Sequence, residues 1–393
     1  MGQASSAPAF SSPSIGLTPS VDVPAHPLLN VELQIVSAHN LEAADHFKLK
    51  AALKGHFASS DPFAAIQLGE EPPVAWTHPV LSTRHPQWNE TFYFTNVQPD
   101  ELCTLYLMDK GVFKDESIGQ AQFKTQDTGD EETVYKLPIL NEDDKAGTIT
   151  VKVKSHVIDA IGNGDLLQYG PVHYSVHPSR VTGILTNTVT DEDKRQSFAY
   201  HVQLHDISQH LPTDISWNQE YKKVRHVFSP DHPEATVLRP MVATEHDLVF
   251  KHDADTVYGE FETAADFFQL VNGGKRQGKM VLFTYVIVET GFFFCETGAP
   301  FFKDMLSKHM LLARTQFHVR YAGEFFITES DRSGGYTLHI DNNSGTYAPP
   351  EDLLPQVKDL LKSNFHKMSV KAVGREDAEQ VKTRKKIHEV WDD

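Results

Sequence analysis

The sequence predicts two domains, an antiparallel β-sandwich followed by an α+β domain. The chain has 393 residues, enough for each domain to bury a core of its own. Up to about residue 156, short segments alternate apolar and polar residues at period 2 between turn signals, as is typical of an all-β sandwich. Beyond that point strand and helix patterns mix without the regular alternation of a doubly wound sheet, which favours α+β.

The N-terminal segment, residues 1–29, is rich in Ser, Pro and Ala and lacks the apolar core of a secretory signal. It therefore predicts a disordered arm. The run Met1-Gly-Gln-Ala-Ser-Ser6 places Gly2 and Ser6 where N-myristoylation requires them, so Gly2 is the predicted lipidation site. Because Ala7 is not the basic residue often found next, an unmodified arm stays open as the alternative.

The first domain is predicted at residues 30–156, and its strands follow one another at regular spacing. Trp88, Phe92 and Phe94 follow a polar turn, and the two phenylalanines lie two residues apart, as a half-buried strand requires. The predicted strands are 31–36, 61–68, 88–94, 105–108, 117–123 and 147–153.

Four motifs of this region occur in a specific order. They are Ala38-His-Asn-Leu41, Ser60-Asp61-Pro62-Phe63, His85-Pro-Gln-Trp-Asn-Glu-Thr-Phe92 and Glu116-Ser-Ile-Gly119. This order resembles the C2 domain. The resemblance implies a permuted topology, in which the final strand fills the position that the other C2 type gives to its first strand.

The resemblance also implies a metal site at one end of the sandwich. Calcium-binding C2 domains use five carboxylates from two loops, because calcium requires six to eight oxygens. Here Gly55 and Lys110 stand where carboxylates are expected, so the set is depleted. The sequence predicts no required cofactor, with calcium as an alternative. The residues that would bind calcium are Asp61, Asp109, Asp115 and Glu116.

Both loops carry apolar residues flanked by lysines, which is typical of a surface that inserts rings into a membrane. In the third loop, Val112 and Phe113 lie between Lys110 and Lys114. The first loop predicts a short basic amphipathic helix. Its predicted lipid contacts are Lys50, Leu53, Lys54 and Phe57. Two alternatives stay open: a helix that only covers the rim of the sandwich, and a C2 fold that binds protein.

A linker is predicted at residues 157–166 and the α+β domain at 167–393. Its predicted strands are 197–204, 280–288, 321–328 and 336–340, and its predicted helices are 300–312 and 357–365. Four segments resemble the second domain of C2-containing proteins common in fungi and related microbes. These segments are Glu296-Thr-Gly-Ala299, Ser307-Lys-His309, Tyr321-Ala-Gly-Glu-Phe325 and Asp341-Asn-Asn-Ser-Gly-Thr-Tyr347. This resemblance implies an architecture and no reaction.

An enzyme remains the second hypothesis for this domain, although no nucleophile elbow, P-loop or dinucleotide motif is present. The candidate catalytic residues are Glu296, His309, Glu324 and Asp341. Glu296, His309 and Asp341 also have a structural interpretation. Glu296 and Thr297 suit the start of a helix, His309 suits a core position, and residues 341–345 suit a turn whose Asn side chains and Gly adopt left-handed backbone.

The composition of the chain limits the classes of partner that it can bind. The formal charge of −17 argues against nucleic acid as a binding partner. The only cysteines, Cys103 and Cys295, favour a reducing compartment over a disulfide framework. The basic run 384–386 is typical of a solvated helix face, with a phosphate contact as the alternative. Together these features predict a cytoplasmic adaptor that binds phospholipid peripherally and presents its second domain to an unknown protein or small ligand.

Overall fold

The structure of the protein is a computed structural model. It describes residues 27–42, 60–111, 115–142, 144–158, 165–179, 197–212, 252–297, 319–330, 335–344 and 349–392. The predicted helix at 300–312 lies outside these residues. Within the described part of the chain, no helix is long and apolar enough to cross a membrane.

The first half of the chain forms a curled sheet in which every pairing is antiparallel. Its strands are β1 (Leu28–His39), β2 (Pro62–Leu68), β3 (Ala75–Trp76), β4 (Gln87–Val97), β5 (Leu102–Asp109), β6 (Glu116–Lys124), β7 (Thr133–Asn141), β8 (Asp144–Ile158) and β9 (Leu167–Tyr169). Their order in the sheet is β3-β2-β5-β6-β7-β8-β1-β4-β9. The strand β8 lies beside β1, as the permuted topology requires.

The core of this sheet is formed by apolar residues at every second position of its strands. In β1 the buried Val31, Leu33 and Ile35 alternate with less buried residues. Leu33 pairs with Phe92 of β4, so the aromatic residues of β4 and the aliphatic residues of β1 share one face. Gly119 in β6 has a φ of 153°, and a Cβ there would lie 2.6 Å from the carbonyl oxygen of Leu140. Only glycine permits this close approach of β6 and β7.

The boundary between the halves differs from the prediction. Strand β8 continues to Ile158, and β9 lies within the segment assigned to the second domain. Nevertheless β9 adds to the first sheet, where Tyr169 pairs with Tyr93 of β4. The first sheet therefore extends past the predicted linker.

The second half forms an eight-stranded sheet with helices packed on it. Its strands are β10 (Val172–Ser179), β11 (Ser197–Val202), β12 (Val257–Phe261), β15 (Leu282–Val288), β16 (Gly291–Thr297), β17 (Val319–Glu329), β18 (Tyr336–Ile340) and β19 (Ser369–Ala372), and a separate hairpin pairs β13 (Lys275–Arg276) with β14 (Lys279–Met280). The order is β12-β10-β11-β16-β15-β17-β18-β19. Only the pairing of β18 with β19 is parallel among the described strands of this sheet.

Four described helices accompany this sheet: α1 (Ile207–His210), α2 (Ala264–Leu270), α3 (Leu354–Asn364) and α4 (Ala378–Asp392). Helices α2 and α3 cover one face of this sheet, the aromatic face, which carries Phe283. Phe267 of α2 and Leu360 of α3 belong to the same buried cluster as Phe283. The predicted apolar face of α3 is confirmed, since Val357, Leu360, Leu361 and Phe365 are all buried. Helix α4 packs on the opposite face, where Ile387 contacts Leu282 and Phe326.

The first sheet packs against that opposite face of the second sheet. The side-chain amide of Gln203 donates to the carbonyl oxygen of Trp76 at 3.0 Å, and the backbone N–H of Trp76 donates to Gln203 Oε1 at 3.3 Å. The ring of His173 stacks on Phe92 with centroids 4.8 Å apart. The two halves are thus joined by paired polar contacts and by ring stacking.

Candidate functional site

The loop end of the first sheet brings the predicted carboxylates into proximity. Asp61 precedes β2 and Asp109 ends β5, and these neighbouring antiparallel strands place the two residues side by side. Asp109 Oδ1 accepts the backbone N–H of Asp61 at 2.7 Å, and Asp61 Oδ1 accepts the N–H of Ser82 at 2.7 Å. These carboxylates therefore hold the backbone of the loop end.

Lys110 supplies a positive charge within this group. Its Nζ lies 3.2 Å from Asp115 Oδ2, while Asp115 Oδ1 accepts the backbone N–H of Gly111 at 3.3 Å. The ammonium group also lies 5.7 Å from the centroid of the Phe63 ring. Both Asp115 oxygens are therefore engaged by donors of the protein itself.

Burial and like charge act together at Asp109, which is only 4% exposed. Burial raises the pKa of this carboxyl, the carboxylates of Asp61 and Glu116 raise it further, and hydrogen bonds oppose the increase. Asp109 Oδ2 and Glu116 Oε2 have no hydrogen-bond partner among the described residues. The group holds more negative charge than its protein donors neutralise.

Several carboxylate oxygens that a calcium ion would use already accept hydrogen bonds from the protein. Calcium takes six to eight oxygens, whereas Asp61, Asp109 and Asp115 already use oxygens on protein donors. Within the described ranges no group of three or more His, Cys, Asp or Glu is arranged to hold a metal. Lys110 and Asp115 form an ion pair that takes up charge a metal would otherwise balance.

Most of the predicted lipid contacts lie outside the described residues, and so does Gly2. The contacts concerned are Lys50, Leu53, Lys54, Phe57, Val112, Phe113 and Lys114. Lys110 is described, and its side chain lies on the wall of a pocket between the two sheets.

The candidate catalytic residues of the second half are only partly brought together. Glu324 on β17 pairs with Thr284, whereas Glu296 on β16 pairs with Phe283. Since Thr284 and Phe283 are consecutive in β15, Glu324 and Glu296 point to opposite faces of the sheet. The predicted single cleft is therefore wrong for this pair. His309 lies outside the described residues.

The structure places Glu296 inside β16, which ends at Thr297. The residues that would form a helix after Thr297 lie outside the described ranges. The carboxylate pairs with the guanidinium of Arg276, and both side chains are largely buried. Burial raises the pKa of Glu296, and Arg276 opposes that shift. This arrangement is a buried ion pair on the aromatic face.

Asp341 is the centre of a saturated polar cluster. Its Oδ1 accepts the backbone N–H groups of Glu324 at 3.1 Å and Asn343 at 2.8 Å. Its Oδ2 accepts from Gln380 at 3.0 Å and from Arg384 at 3.2 Å. Burial raises the pKa of Asp341, and Arg384 is the largest influence that lowers it. With all these donors in place the carboxylate has a structural role.

The environment of Arg384 differs from the one that the sequence predicts. The basic run predicts a solvated face, yet the Arg384 side chain is only 11% exposed and also lies 3.5 Å from Glu324. It further donates to the carbonyl oxygen of Arg375 at 2.5 Å. Arg384 lies between the buried Gln380 and Ile387 at helical spacing, so these three residues share the face of α4 that packs on the sheet. The apolar Ile387, three residues after Arg384, is the signal in the sequence.

Comparison with known proteins identifies the first half. The family described as "C2 domain" matches residues 29–139. Protein C2-DOMAIN ABA-RELATED 11 of Arabidopsis thaliana is 37% identical over 71 residues, which are 18% of this chain and 42% of that protein. The chain thus spans less than half the length of this curated relative.

Solved structures of C2 domains align with this chain at low identity. A C2 domain of plant Extended Synaptotagmin 1 is 23% identical, with a TM-score of 0.28, over 34% of this chain and 98% of that one. A C2 domain-containing protein from a putative elicitor-responsive gene is 21% identical, with a TM-score of 0.25, over 32% and 86%. The family match and the strand order agree, and this chain contains a C2 domain in its N-terminal half.

Proposed function

We propose that this protein is a peripheral membrane adaptor whose C2 domain docks on phospholipid and presents the second sheet to a partner. The match of residues 29–139 to the C2 domain carries the proposal. Docking on phospholipid is the activity that this resemblance implies, and the cytoplasmic face of a membrane is the surface expected for it.

The sequence of the third loop indicates which residues dock. Phe113 lies between Lys110 and Lys114. A ring that enters the acyl boundary gains hydrophobic free energy, while flanking ammonium groups attract anionic headgroups. The charge of Lys110 is offset by Asp115 at 3.2 Å. The remaining attraction is therefore assigned to Lys114 and to Lys50 and Lys54 of the helix predicted from the sequence.

The test is co-sedimentation of the full-length protein with vesicles of phosphatidylcholine and phosphatidylserine. We expect Phe113→Asp to weaken binding by about 10- to 100-fold, since burial of a Phe side chain contributes about 1.5–3 kcal/mol. Val134→Asp is the matched control, because Val134 is 52% exposed on β7, away from the loops. If both variants bind vesicles as the parent does, the loops do not dock on lipid and the protein-binding alternative is favoured.

The arm would supply a second membrane anchor. One myristoyl chain binds bilayers with only about 10⁴ M⁻¹, so durable attachment requires a second signal such as the C2 domain. We expect Gly2→Ala to shift the full-length protein from the membrane to the soluble fraction of its own cells. Intact mass spectrometry that finds the N-terminus unmodified would remove acylation and leave the C2 domain as the anchor.

The enzyme hypothesis has weaker support from the geometry. Asp341 is saturated by four donors, and Arg384 lies beside Glu324. A general acid or base needs an open approach for substrate. For this reason we do not assign a reaction to these residues.

A further inference from the structure

A pocket of about 520 Å³ lies between the two sheets. Residues of β2, β3 and β4 form one wall, and residues of β10, β11, β12 and β16 form the other. Small-molecule sites commonly have volumes of about 300–1,000 Å³, so this pocket is large enough for a ligand. Since each sheet supplies one wall, a ligand bound here would contact both halves of the chain.

Aromatic rings form much of the lining. The Phe, Tyr and Trp residues of the lining are Phe63, Trp76, Trp88, Tyr174, Tyr258 and Phe293. Their neighbours hold them in place: Phe293 stacks on His201 with centroids 4.1 Å apart, and Tyr258 lies 4.7 Å from the ring of His78. Rings that are fixed in this way present rigid π-faces to the interior of the pocket.

The charged lining residues are one lysine and three carboxylates. Lys110 is paired with Asp115 at 3.2 Å, so its charge is already balanced. The other two carboxylates, Glu90 and Glu260, lie on either side of His173, whose Nε2 is 3.6 Å from the first and 3.1 Å from the second. Glu90 also contacts the imidazole of His78 and accepts its backbone N–H at 2.8 Å. Counted without its histidines, the lining holds three carboxylates against one ammonium group, an excess of negative charge.

The pKa values of two further side chains in the walls reflect their surroundings. Burial raises the pKa of the Tyr258 phenol, and the carboxylates of Glu90, Asp61 and Asp253 raise it further, as a negative surrounding does. Burial lowers the pKa of His201 to about 4, so this imidazole is uncharged at neutral pH. The pocket thus combines aromatic faces, a neutral imidazole and more carboxylates than ammonium groups.

We propose that this pocket binds a small organic cation, namely an amine that carries an aromatic or alkyl body. An ammonium group over an aromatic face is attracted by the ring quadrupole, and nearby carboxylates add to that attraction. An organic anion would meet the repulsion of Glu90 and Glu260. A bare divalent metal is disfavoured, because no group of three or more metal-binding side chains is found in the described ranges.

The test uses three probes of similar shape and different charge: phenethylamine, 2-phenylethanol and 3-phenylpropanoate. Each is titrated into the full-length protein at neutral pH by calorimetry. We expect the amine to bind at least about tenfold more tightly than the alcohol or the anion, a difference of about 1.4 kcal/mol. Equal affinities, or no binding of phenethylamine up to about 10 mM, would overturn the proposal.

Two variants locate the binding. Glu260→Gln removes one carboxylate and should weaken amine binding about fivefold or more, while leaving 2-phenylethanol unaffected. Glu132→Gln is the control: its side chain is 43% exposed, against 45% for Glu260, and it is ion-paired outside the pocket. Phe293→Leu keeps apolar volume but removes a π-face, and should also weaken the amine selectively. If both pocket variants match the control, the amine binds elsewhere and the proposal fails.

Discussion

Each half of the molecule gathers carboxylates around one basic side chain, and the two clusters differ in burial. In the C2 domain, Lys110 and Asp115 are 3.2 Å apart with side chains 22% and 21% exposed. In the second half, Arg384 lies at the same distance from Asp341, whose side chain is fully buried. The same pairing therefore occurs once at a partly solvated loop end and once in an interior.

The difference shows what each cluster can do. Asp341 accepts four hydrogen bonds, and its cation belongs to α4, so the cluster fastens α4 to the sheet. Asp109 accepts the N–H of Asp61, but its Oδ2 has no partner among the described residues. The Asp341 cluster is saturated and structural, whereas the Asp109 cluster retains unbalanced charge at the loop end of a C2 domain.

The largest expected effect is at Arg384. Its replacement by Met would leave the carboxylates of Asp341 and Glu324 buried without a cation, and breaking a buried ion pair costs about 3–5 kcal/mol. Urea unfolding measures the loss. Lys385→Met is the control, because that neighbouring side chain is exposed and should change stability by no more than about 0.5 kcal/mol. A loss below about 1 kcal/mol for Arg384→Met would show that the cluster does not fasten α4.

A smaller effect of opposite sign is expected at Asp109. Its pKa in the folded protein lies above the ordinary 3.8, so its contribution to stability is full below pH 3.8 and is lost as pH rises through the folded pKa. Asp109→Asn keeps an acceptor for the N–H of Asp61 and removes the charge. We expect it to stabilise the protein by about 1 kcal/mol at neutral pH, with no gain below pH 3.8.

The control for this variant is Asp100→Asn. Asp100 is exposed in the same domain and has a φ of 60°, which Asn tolerates well. The stability of this variant at neutral pH should lie within about 0.5 kcal/mol of the parent's. If Asp109→Asn destabilises the protein at neutral pH, the carboxylate contributes more as a charged acceptor than it loses by burial and repulsion.

The sequence was most informative about the C2 domain because its strands carry their own period-2 signal. Val31, Leu33 and Ile35 are buried as predicted. Strand β7 was missed, since it contains Pro138 and only Ile139 is fully buried. Strand β10 was missed for another reason: His173, Ser175 and His177 make one of its faces polar, yet all three are buried, and His173 stacks on Phe92 of the first sheet.

The remaining features could not be predicted from the sequence because they depend on contacts between residues that are far apart in the chain. Arg384 follows Asp341 by 43 positions and Gln203 follows Trp76 by 127. No local pattern indicates such partners. The pocket has the same origin, because its two walls come from different halves of the chain. What a single segment encodes was predictable, and what two segments form together was not.

The smallest expected effect is that of calcium on vesicle binding. A calcium ion would be the cation of the Asp109 cluster, as Arg384 is the cation of the Asp341 cluster. Asp61, Asp109 and Asp115 use oxygens on the N–H groups of Ser82, Asp61 and Gly111, and Lys110 pairs with Asp115. Too few oxygens are left for an ion that takes six to eight. Vesicle binding by the full-length protein should therefore change less than about twofold when calcium is chelated. Calorimetry should detect no calcium site, and a micromolar dissociation constant would show that the cluster opens to admit the ion.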